Sequence, residues 1–380
     1  MNNKDASQHE CLFVLDLMGI GGSERKIVSV ANGLAQRGYK VHLFFLNFGI
    51  SLTNTIDKTI SITVLQRKGK LDRQVIKKLR QYMLEHNGIK TIWPVNLYPL
   101  LYVFLATRGI ENKPLIIGSS NKTLFRSFYQ EAQMLLYTPI IRSLDCFIFG
   151  SYNQKEMWIK KYFLGNKNYH VIHNGVDIDK FSITYRDEQR PKYRTKFGYS
   201  KTDIVIGMVA RFSAEKAHDD LINACKRLID QGIDIKLLLA GDGLRLEEIK
   251  QLCLNLGISE RVTFAGSVDD VRPFLVCMDI FALTSISVET FSNAALEAMA
   301  MKLPIVISDL SGAKEMVEDG VNGYTYPPGN VDKLANSLSK LMKLEDRVRL
   351  GETGRQILEK KFTRDIMIET YRKFIWPDRS

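Results

Sequence analysis

The chain has 380 residues, 45% of them hydrophobic and 25% charged, the balance of a globular protein rather than a disordered or low-complexity one. Its length exceeds the roughly 250 to 300 residues at which a single core stops growing, so two domains are expected. The net charge of +11 is confined to residues 1–180, where 24 Lys and Arg face 13 Asp and Glu, and the remainder holds 29 of each. No apolar run approaches the ~20 residues of a membrane-spanning helix. The start Met1-Asn2-Asn3-Lys4-Asp5 precedes an apolar stretch broken by Asp16, unlike a signal peptide, and the cytoplasm is the expected compartment. The five cysteines are widely spaced with no Cys-x-x-Cys pair, which argues against disulfides and a cysteine zinc site.

The first predicted strand, Leu12–Asp16, runs into Gly19-Ile20-Gly21-Gly22-Ser23 and a helix predicted over Glu24–Arg37. In a strand, glycine turn and helix the backbone amides closely approach an anion, although the same glycines equally serve a turn without ligand. The spacing is not Gly-x-Gly-x-x-Gly, and the second strand, Val41–Leu46, ends at Asn47 with no acidic residue, which weighs against a nicotinamide or flavin enzyme. Next, Arg67, Lys68, Lys70, Arg73, Lys77, Lys78 and Arg80 crowd one segment opposed only by Asp72, while Leu71, Val75, Leu79 and Met83 recur every four residues. This pattern predicts a basic amphipathic helix. It reads first as a solvated outer helix packed on its own sheet. Alternatively it is a patch for anionic lipid headgroups, each base near a membrane being worth about 1 kcal/mol. Nucleic acid is the weakest candidate, because no recognised nucleic-acid module is present and the other half has no net charge.

Further strands are predicted at Ile89–Trp93, Leu115–Gly118, Cys146–Phe149 and Tyr169–Ile172. A domain seam is expected over Asp177–Tyr199, where the polar run Arg186-Asp187-Glu188-Gln189-Arg190-Pro191 breaks the hydrophobic pattern. Strands resume at Ile204–Val209, Ile235–Ala240, Val262–Phe264, Ile280–Leu283 and Pro304–Ile307, and a last helix covers Thr363–Phe374. Alternation of this kind predicts two α/β domains, residues 1–180 and 181–363, each a parallel sheet covered by helices on both faces.

The most telling segment is Ser287–Ala300, with Glu289 and Glu297 separated by seven residues. It forms a strand-loop-helix-strand unit whose loop, Thr284–Phe291, lies at the carboxyl end of a strand, where open sheets bind ligands. The amides of the first helical turn, Ser292 to Ala295, then suit a phosphate. Glu289 stands before the helix near the reacting end of such a ligand, and Glu297 lies further along it. Arg211 and Lys216 follow the first strand of the second half on the same rim, where two fixed cations would neutralise a diphosphate leaving group. As a lone pair they would read as solvated loop bases; their coincidence with the two glutamates reverses that. The turn Gly241-Asp242-Gly243 reads as structural.

Taken together these residues resemble the retaining nucleotide-sugar glycosyltransferases of GT-B family 4, whose hallmark is two glutamates separated by seven residues. The resemblance covers nearly the whole chain: Gly21-Gly22-Ser23-Glu24 looks like the family's glycine loop, Asn174-Gly175-Val176-Asp177 with Phe181 like its interdomain segment, and Gly266 like the turn near the nucleoside. It implies a GT-B fold, an α/β arrangement of two facing Rossmann-like domains with the last helix, within 364–380, returning to the first. It also implies a nucleotide-diphosphate sugar donor, UDP above others, held by the second domain. In that frame Glu289 contacts the transferred sugar, Glu297 binds ribose, and Thr290, Phe291, Ser292 and Asn293 with Arg211 and Lys216 hold the diphosphate. Gly21, Gly22 and Gly266 complete the donor set. No metal or other cofactor is expected, because the cations and helix amides replace it, and retention follows from front-face attack. The implied acceptor is a lipid-linked saccharide at the cytoplasmic face of the membrane, in surface polysaccharide or lipopolysaccharide synthesis.

Three positions depart from the family pattern. Gly118-Ser119-Ser120-Asn121-Lys122 has no histidine where many relatives carry one, which passes the sugar contact to Asn121 or Ser120. His173 stands where a proline is common, and Ser292 where glycine is. A lone histidine at His173 or His218 reads as structural or solvated. The rival enzymes are a GT-B-like epimerase, which needs further acid-base residues in the cleft, and a phosphorylase, which needs a pyridoxal-binding lysine segment that is not found. A non-catalytic nucleotide-sugar sensor is the remaining alternative.

Overall fold

The computed structural model describes residues 9–17, 22–49, 55–120, 131–287 and 289–376. The chain divides into two compact units, residues 1–174 with 364–380, and residues 175–363.

The described residues of unit 1 form seven parallel strands: β1 (Glu10–Leu17), β2 (Lys40–Asn47), β3 (Ser61–Val64), β4 (Ile89–Pro94), β5 (Leu115–Ser120), β6 (Cys146–Phe149) and β7 (Tyr169–Val171). Their spatial order is β3-β2-β1-β4-β5-β6-β7. Both faces of the sheet are buried, and the period of two assigns alternate residues to two cores. Cys11, Phe13 and Leu15 of β1 enter one core and Leu12 and Val14 the other. Near-continuous apolar runs of this kind made the central strands readable.

Unit 2 holds six parallel strands: β8 (Ile204–Val209), β9 (Ile235–Ala240), β10 (Val262–Phe264), β11 (Ile280–Leu283), β12 (Ile305–Ser308) and β13 (Gly323–Tyr326), in the order β10-β9-β8-β11-β12-β13. The sequence reading missed β3 and β13. Both are edge strands, and the exposed or half-buried residues of β3 lack the apolar signature of a strand covered on two faces.

The helices that matter below are α1 (Gly22–Ala35), α2 (Arg73–Glu85), α3 (Leu97–Ala106), α4 (Ile183–Lys196), α5 (His218–Asp230), α6 (Asn293–Ala300), α7 (Leu344–Lys361) and α8 (Arg364–Ile375). The last belongs to unit 1, where Met367, Ile368, Tyr371 and Ile375 complete the core beneath α1. A Cβ on Gly33 of α1 would lie 2.2 Å from Ile368 Cδ1, so a larger residue there would force the Ile368 side chain to move.

The basic segment forms α2, capped by Asp72, whose carboxylate accepts from the Gln74 and Val75 amides. Val75, Leu79 and Met83 are buried, each contributing about 1.5–3 kcal/mol. The apolar stripe is therefore spent on unit 1 itself, and Leu71 stays exposed outside the helix. Arg80 is not a surface base: its Nη1 donates to the carbonyls of Ala106 (3.0 Å) and Arg108 (2.6 Å), closing the end of α3. Arg73, Lys77 and Lys78 remain exposed.

The polar run expected as a seam is instead α4, a regular helix of unit 2 that accommodates Pro191 in its interior. Its inner face carries Arg190 and Arg194 beside the half-buried Tyr185 and Tyr193, which leaves no aliphatic period to read.

Candidate active site

In an open parallel sheet the crevice for a ligand lies where the strand order reverses, beyond the carboxyl ends of the two strands on either side. In unit 2 those strands are β8 and β11, which pair directly. The loop after β8 carries Arg211 and Lys216, and the loop after β11 carries Glu289.

The two loops are tied together by their backbones. A short 3₁₀ turn, Ala214–Lys216, ends at Ala217, a non-glycine residue with φ +43°. A left-handed alanine costs about 1–2 kcal/mol and persists only where its surroundings hold it. Thr284 does so: its Oγ1 lies 2.9 Å from the Lys216 carbonyl oxygen and 2.8 Å from that of Ala217, one proton shared between them. The Ile286 amide also donates to the Glu215 carbonyl at 2.9 Å. Behind them, Ser308 Oγ donates to the Ser285 carbonyl at 2.5 Å.

This lacing delivers Lys216 Nζ to 2.6 Å from Glu289 Oε2, with both side chains about one-fifth exposed. Ser285 Oγ lies 3.3 Å from each of them. The result is a short, charge-assisted pair on the rim, still reachable from solvent. Thr284 and Ser285 escaped the sequence reading, since hydroxyl residues after a buried strand look like an ordinary loop start.

Arg211 is exposed and its guanidinium makes no hydrogen bond or ion pair among the described residues. Its loop is nevertheless firmly placed by the glycine turn. Gly241 and Gly243 have φ +143° and +155°, and a Cβ on them would stand 2.0 Å from the Ala210 carbonyl oxygen and 2.3 Å from that of Phe212. The Phe212 amide donates to Asp242 O at 3.0 Å. The structural reading of Gly241-Asp242-Gly243 thus acquires a purpose, pressing backbone on backbone to hold the Arg211 segment. Phe212 in turn stacks on His218, ring centroids 4.1 Å apart. His218 is buried, and desolvation chiefly pulls its imidazole down to about 4, so it is neutral and structural at neutral pH.

The helix beyond Glu289 begins at Asn293. Ser292 is its N-cap and its Oγ accepts from the Ala295 amide at 3.2 Å, which removes Ala295 from the set of free amides expected from the sequence. The Asn293 and Ala294 amides, the first two of the helix, have no intrahelical acceptor and share the positive end of its dipole. Thr290 accepts from the Gly312 amide at 3.0 Å, and the buried Phe291 packs edge-on against Phe362 at 5.2 Å, fixing the loop from below. Glu297 is half-buried one turn further along α6. Gly266, with φ +72°, follows β10 and its carbonyl accepts from the Gly241 amide at 2.8 Å, which ties it to the glycine turn.

Of the remaining expected residues, Gly22 opens α1, whereas Gly21 and Asn121 lie outside the described residues. Among the described residues no three His, Cys, Asp or Glu side chains gather in a metal-binding group, and no described helix is long and apolar enough to cross a membrane.

Two family models match consecutive parts of the chain: glycosyltransferase family 4 over residues 20–180 and glycosyl transferases group 1 over residues 189–357. Among curated relatives, N-acetyl-alpha-D-glucosaminyl L-malate synthase of Bacillus anthracis is 28% identical over 207 residues, 54% of this chain and 53% of the relative. The lipopolysaccharide core biosynthesis glycosyltransferase LpsE of Rhizobium meliloti (strain 1021) is 33% identical over 168 residues, 44% of this chain and 48% of the relative. The chain thus spans about half the length of these curated relatives. A solved structure, Anabaena Alr3699/HepE in complex with UDP, superposes with a TM-score of 0.84 at 22% identity over 96% of this chain and 99% of that one, and it carries the same GT-B fold. The two models together take in both units and the Lys216–Glu289 rim, and the chain belongs to the family 4, group 1 glycosyltransferases of GT-B fold.

Proposed function

We propose that the protein transfers a sugar from a nucleotide-diphosphate sugar, a UDP-sugar above others, with retention at the anomeric carbon. The observation that carries this reading is the Lys216–Glu289 pair, 2.6 Å apart at the switch point and beside the amino end of α6. The nucleotide's diphosphate would lie against the Asn293 and Ala294 amides, with Arg211 and Lys216 supplying the positive charge that the departing phosphate needs. Glu289, paired with Lys216, would face the sugar that the diphosphate presents, and Glu297 would take the ribose hydroxyls. The bond from the anomeric carbon to the phosphate oxygen breaks with its electron pair going to the phosphate. The acceptor hydroxyl forms the new bond on the same face and gives its proton to that phosphate oxygen. In this scheme the cations and amides do the work otherwise given to a metal ion, and EDTA should leave the rate unchanged.

For the acceptor we infer a lipid-linked saccharide in surface polysaccharide or lipopolysaccharide synthesis, reached at the cytoplasmic face of the membrane. Support comes from the +11 charge of residues 1–180, from the exposed Arg73, Lys77 and Lys78 on α2, and from the relative named for lipopolysaccharide core synthesis. Replacing Arg73, Lys77 and Lys78 by Gln should weaken binding to anionic vesicles. Unaltered vesicle binding would remove α2 from the membrane contact. Arg80 is excluded from this test because it holds the end of α3.

Nucleotide release by the purified protein, measured across UDP-, GDP-, ADP- and dTDP-sugars with and without a crude bacterial lipid extract, tests the whole reading. Release from one donor, stimulated by lipid, is the expected result. Tight nucleotide binding without release from any donor would favour a sensor, or an acceptor missing from the extract.

A further inference from the structure

The carboxyl rim is not the only charged recess of unit 2. At the opposite end of the sheet, beneath the starts of β11 and β12, lies a cavity of about 370 Å³, within the range of small-molecule sites. Strand β11 separates the two ends by roughly 13 Å, at about 3.3 Å per residue. Arg186 and Arg190 of α4, Arg347 of α7 and Lys302 line the cavity, facing Asp279 and Glu352.

Arg186, Arg190 and Arg194 recur at every fourth position, which stacks three cations on one face of α4. Like charges at that spacing destabilise a helix unless something compensates them. Compensation is complete for two of the three. Arg190 Nη2 reaches Asp279 Oδ1 at 2.6 Å and its Nη1 the carbonyls of Val276 and Met278. Arg194 holds the other oxygen of Asp279 at 3.0 Å and the carbonyls of Cys277, Ser200 and Asp203. These two are structural, sewing α4 to the entry of β11.

Arg186 is different. Among the described residues its Nε is buried without a hydrogen-bond partner, and the nearest carboxylate, the largely exposed Asp187, is 3.7 Å away. Burial and then the neighbouring Arg190 push its guanidinium below its ordinary value, and Asp187 and Asp279 offset this only in part. Arg347 is pushed the same way, by burial first, and among the described residues its side chain donates to the carbonyls of Leu341 and Met342 alone. Lys302 adds a second anomaly. It occupies the left-handed position that ends α6, with φ +53°, where glycine is the usual residue. A cation is retained there at a conformational cost of about 1–2 kcal/mol, and its 3.4 Å contact to the half-exposed Glu352 is long and open to solvent.

We infer that this cavity is a second anion site, which takes the phosphoryl group of a small soluble ligand between Arg186, Arg347 and Lys302, at the far end of the sheet from Glu289. Planar guanidinium groups from two helices, together with an ammonium lining the same cavity, are suited to the several oxygens of a phosphate. Arg190, already engaged by Asp279 and two backbone carbonyls, lines the cavity beside them. The site does not depend on the donor reading and would be occupied together with it.

The test is titration calorimetry on the full chain with inorganic phosphate, pyrophosphate and glucose 6-phosphate, with saturating UDP present throughout to fill the donor rim. One anion per chain should bind, and Arg186→Gln or Arg347→Gln should weaken it by about tenfold or more, whereas Arg211→Ala should not. Tightest binding of glucose 6-phosphate would assign a sugar phosphate, and tightest binding of phosphate or pyrophosphate an inorganic ion. The melting temperature separates ligand binding from a structural role. Without ligand, Arg186→Gln should melt at or above the parent, because a half-buried cation with an unsatisfied Nε and only a long contact to Asp187 has gone, and it should lose the ligand-induced rise. Absence of binding by all three anions, equal affinity in the Arg186→Gln and Arg347→Gln proteins, or a lowered melting temperature in unliganded Arg186→Gln would overturn the proposal.

Discussion

At the carboxyl ends of β8 and β11 one lysine meets one glutamate, whereas at the amino ends of β11 and β12 four arginines and a lysine gather round Asp279, Asp187 and Glu352. The first arrangement sits on loops that the strands emit toward solvent, held by shared protons and a strained alanine. The second sits on helix faces, with most donors fixed on backbone carbonyls. Charge on loops at a switch point is placed to meet a ligand that comes and goes. Charge locked to carbonyls by Arg190 and Arg194 resembles a structural rivet, and only the residues left out of that rivet, Arg186, Arg347 and Lys302, are available for anything else.

This contrast can be broken from either end. The largest effect should come from Glu289→Ala, which should lower turnover by about a thousandfold, the loss of one electrostatic contact in a site of this kind, while leaving the melting temperature within a few degrees. An undiminished rate would remove Glu289 from the chemistry. Asp279→Asn should do the reverse. Taking one carboxylate from two buried arginines and from the Val205 amide should cost about 3 kcal/mol of stability. Denaturant unfolding would show this as a lower midpoint, and an unchanged midpoint would mean that the arginines are held by their carbonyls alone.

Acid should weaken the loop end through His218. Its folded-state value of about 4 lies below the unfolded value near 6.5, so the folded protein resists a proton that the unfolded chain accepts. Stability is full above pH 6.5 and falls as the pH drops toward 4, by up to about 3 kcal/mol. His218→Phe, which keeps the stack on Phe212, should flatten that slope; an equal slope would assign the acid sensitivity to other groups. The smallest effect belongs to Thr284→Val, which preserves shape but removes the proton shared by the Lys216 and Ala217 carbonyls. A loss of about fivefold in turnover is expected, near the 1 kcal/mol of one hydrogen bond, and full activity would show that Ala217 is held without it.

The central strands, the Glu289 to Glu297 spacing and the Arg211 and Lys216 loop were legible in the sequence, because a strand buried on both faces writes a continuous apolar run and fixes where its loop begins. Strands β3 and β13 were not, since an edge strand needs no such run. The polar stretch Arg186 to Pro191 misled for a related reason: a helix whose buried face is arginine has no apolar periodicity to display. Arg80 was counted as a membrane-facing base, although only the fold reveals the carbonyls of Ala106 and Arg108 that occupy it. Nothing in spacing could have predicted Thr284, whose role depends on a carbonyl 67 positions away.

The return of α8 to unit 1 has a consequence for biosynthesis. Unit 2 is one uninterrupted stretch whose ends are joined by the Val176 amide and the Phe362 carbonyl at 2.9 Å, so it can close as soon as residue 363 has been made. Unit 1 lacks Met367, Ile368, Tyr371, Ile375 and Trp376 until the following residues emerge, and Trp376 Nε1 then bonds the His9 carbonyl at 3.2 Å. Domains ordinarily mature in the order of their translation. Here the half synthesised first keeps its core open beside Gly33 until a helix that follows the whole of unit 2 has been made.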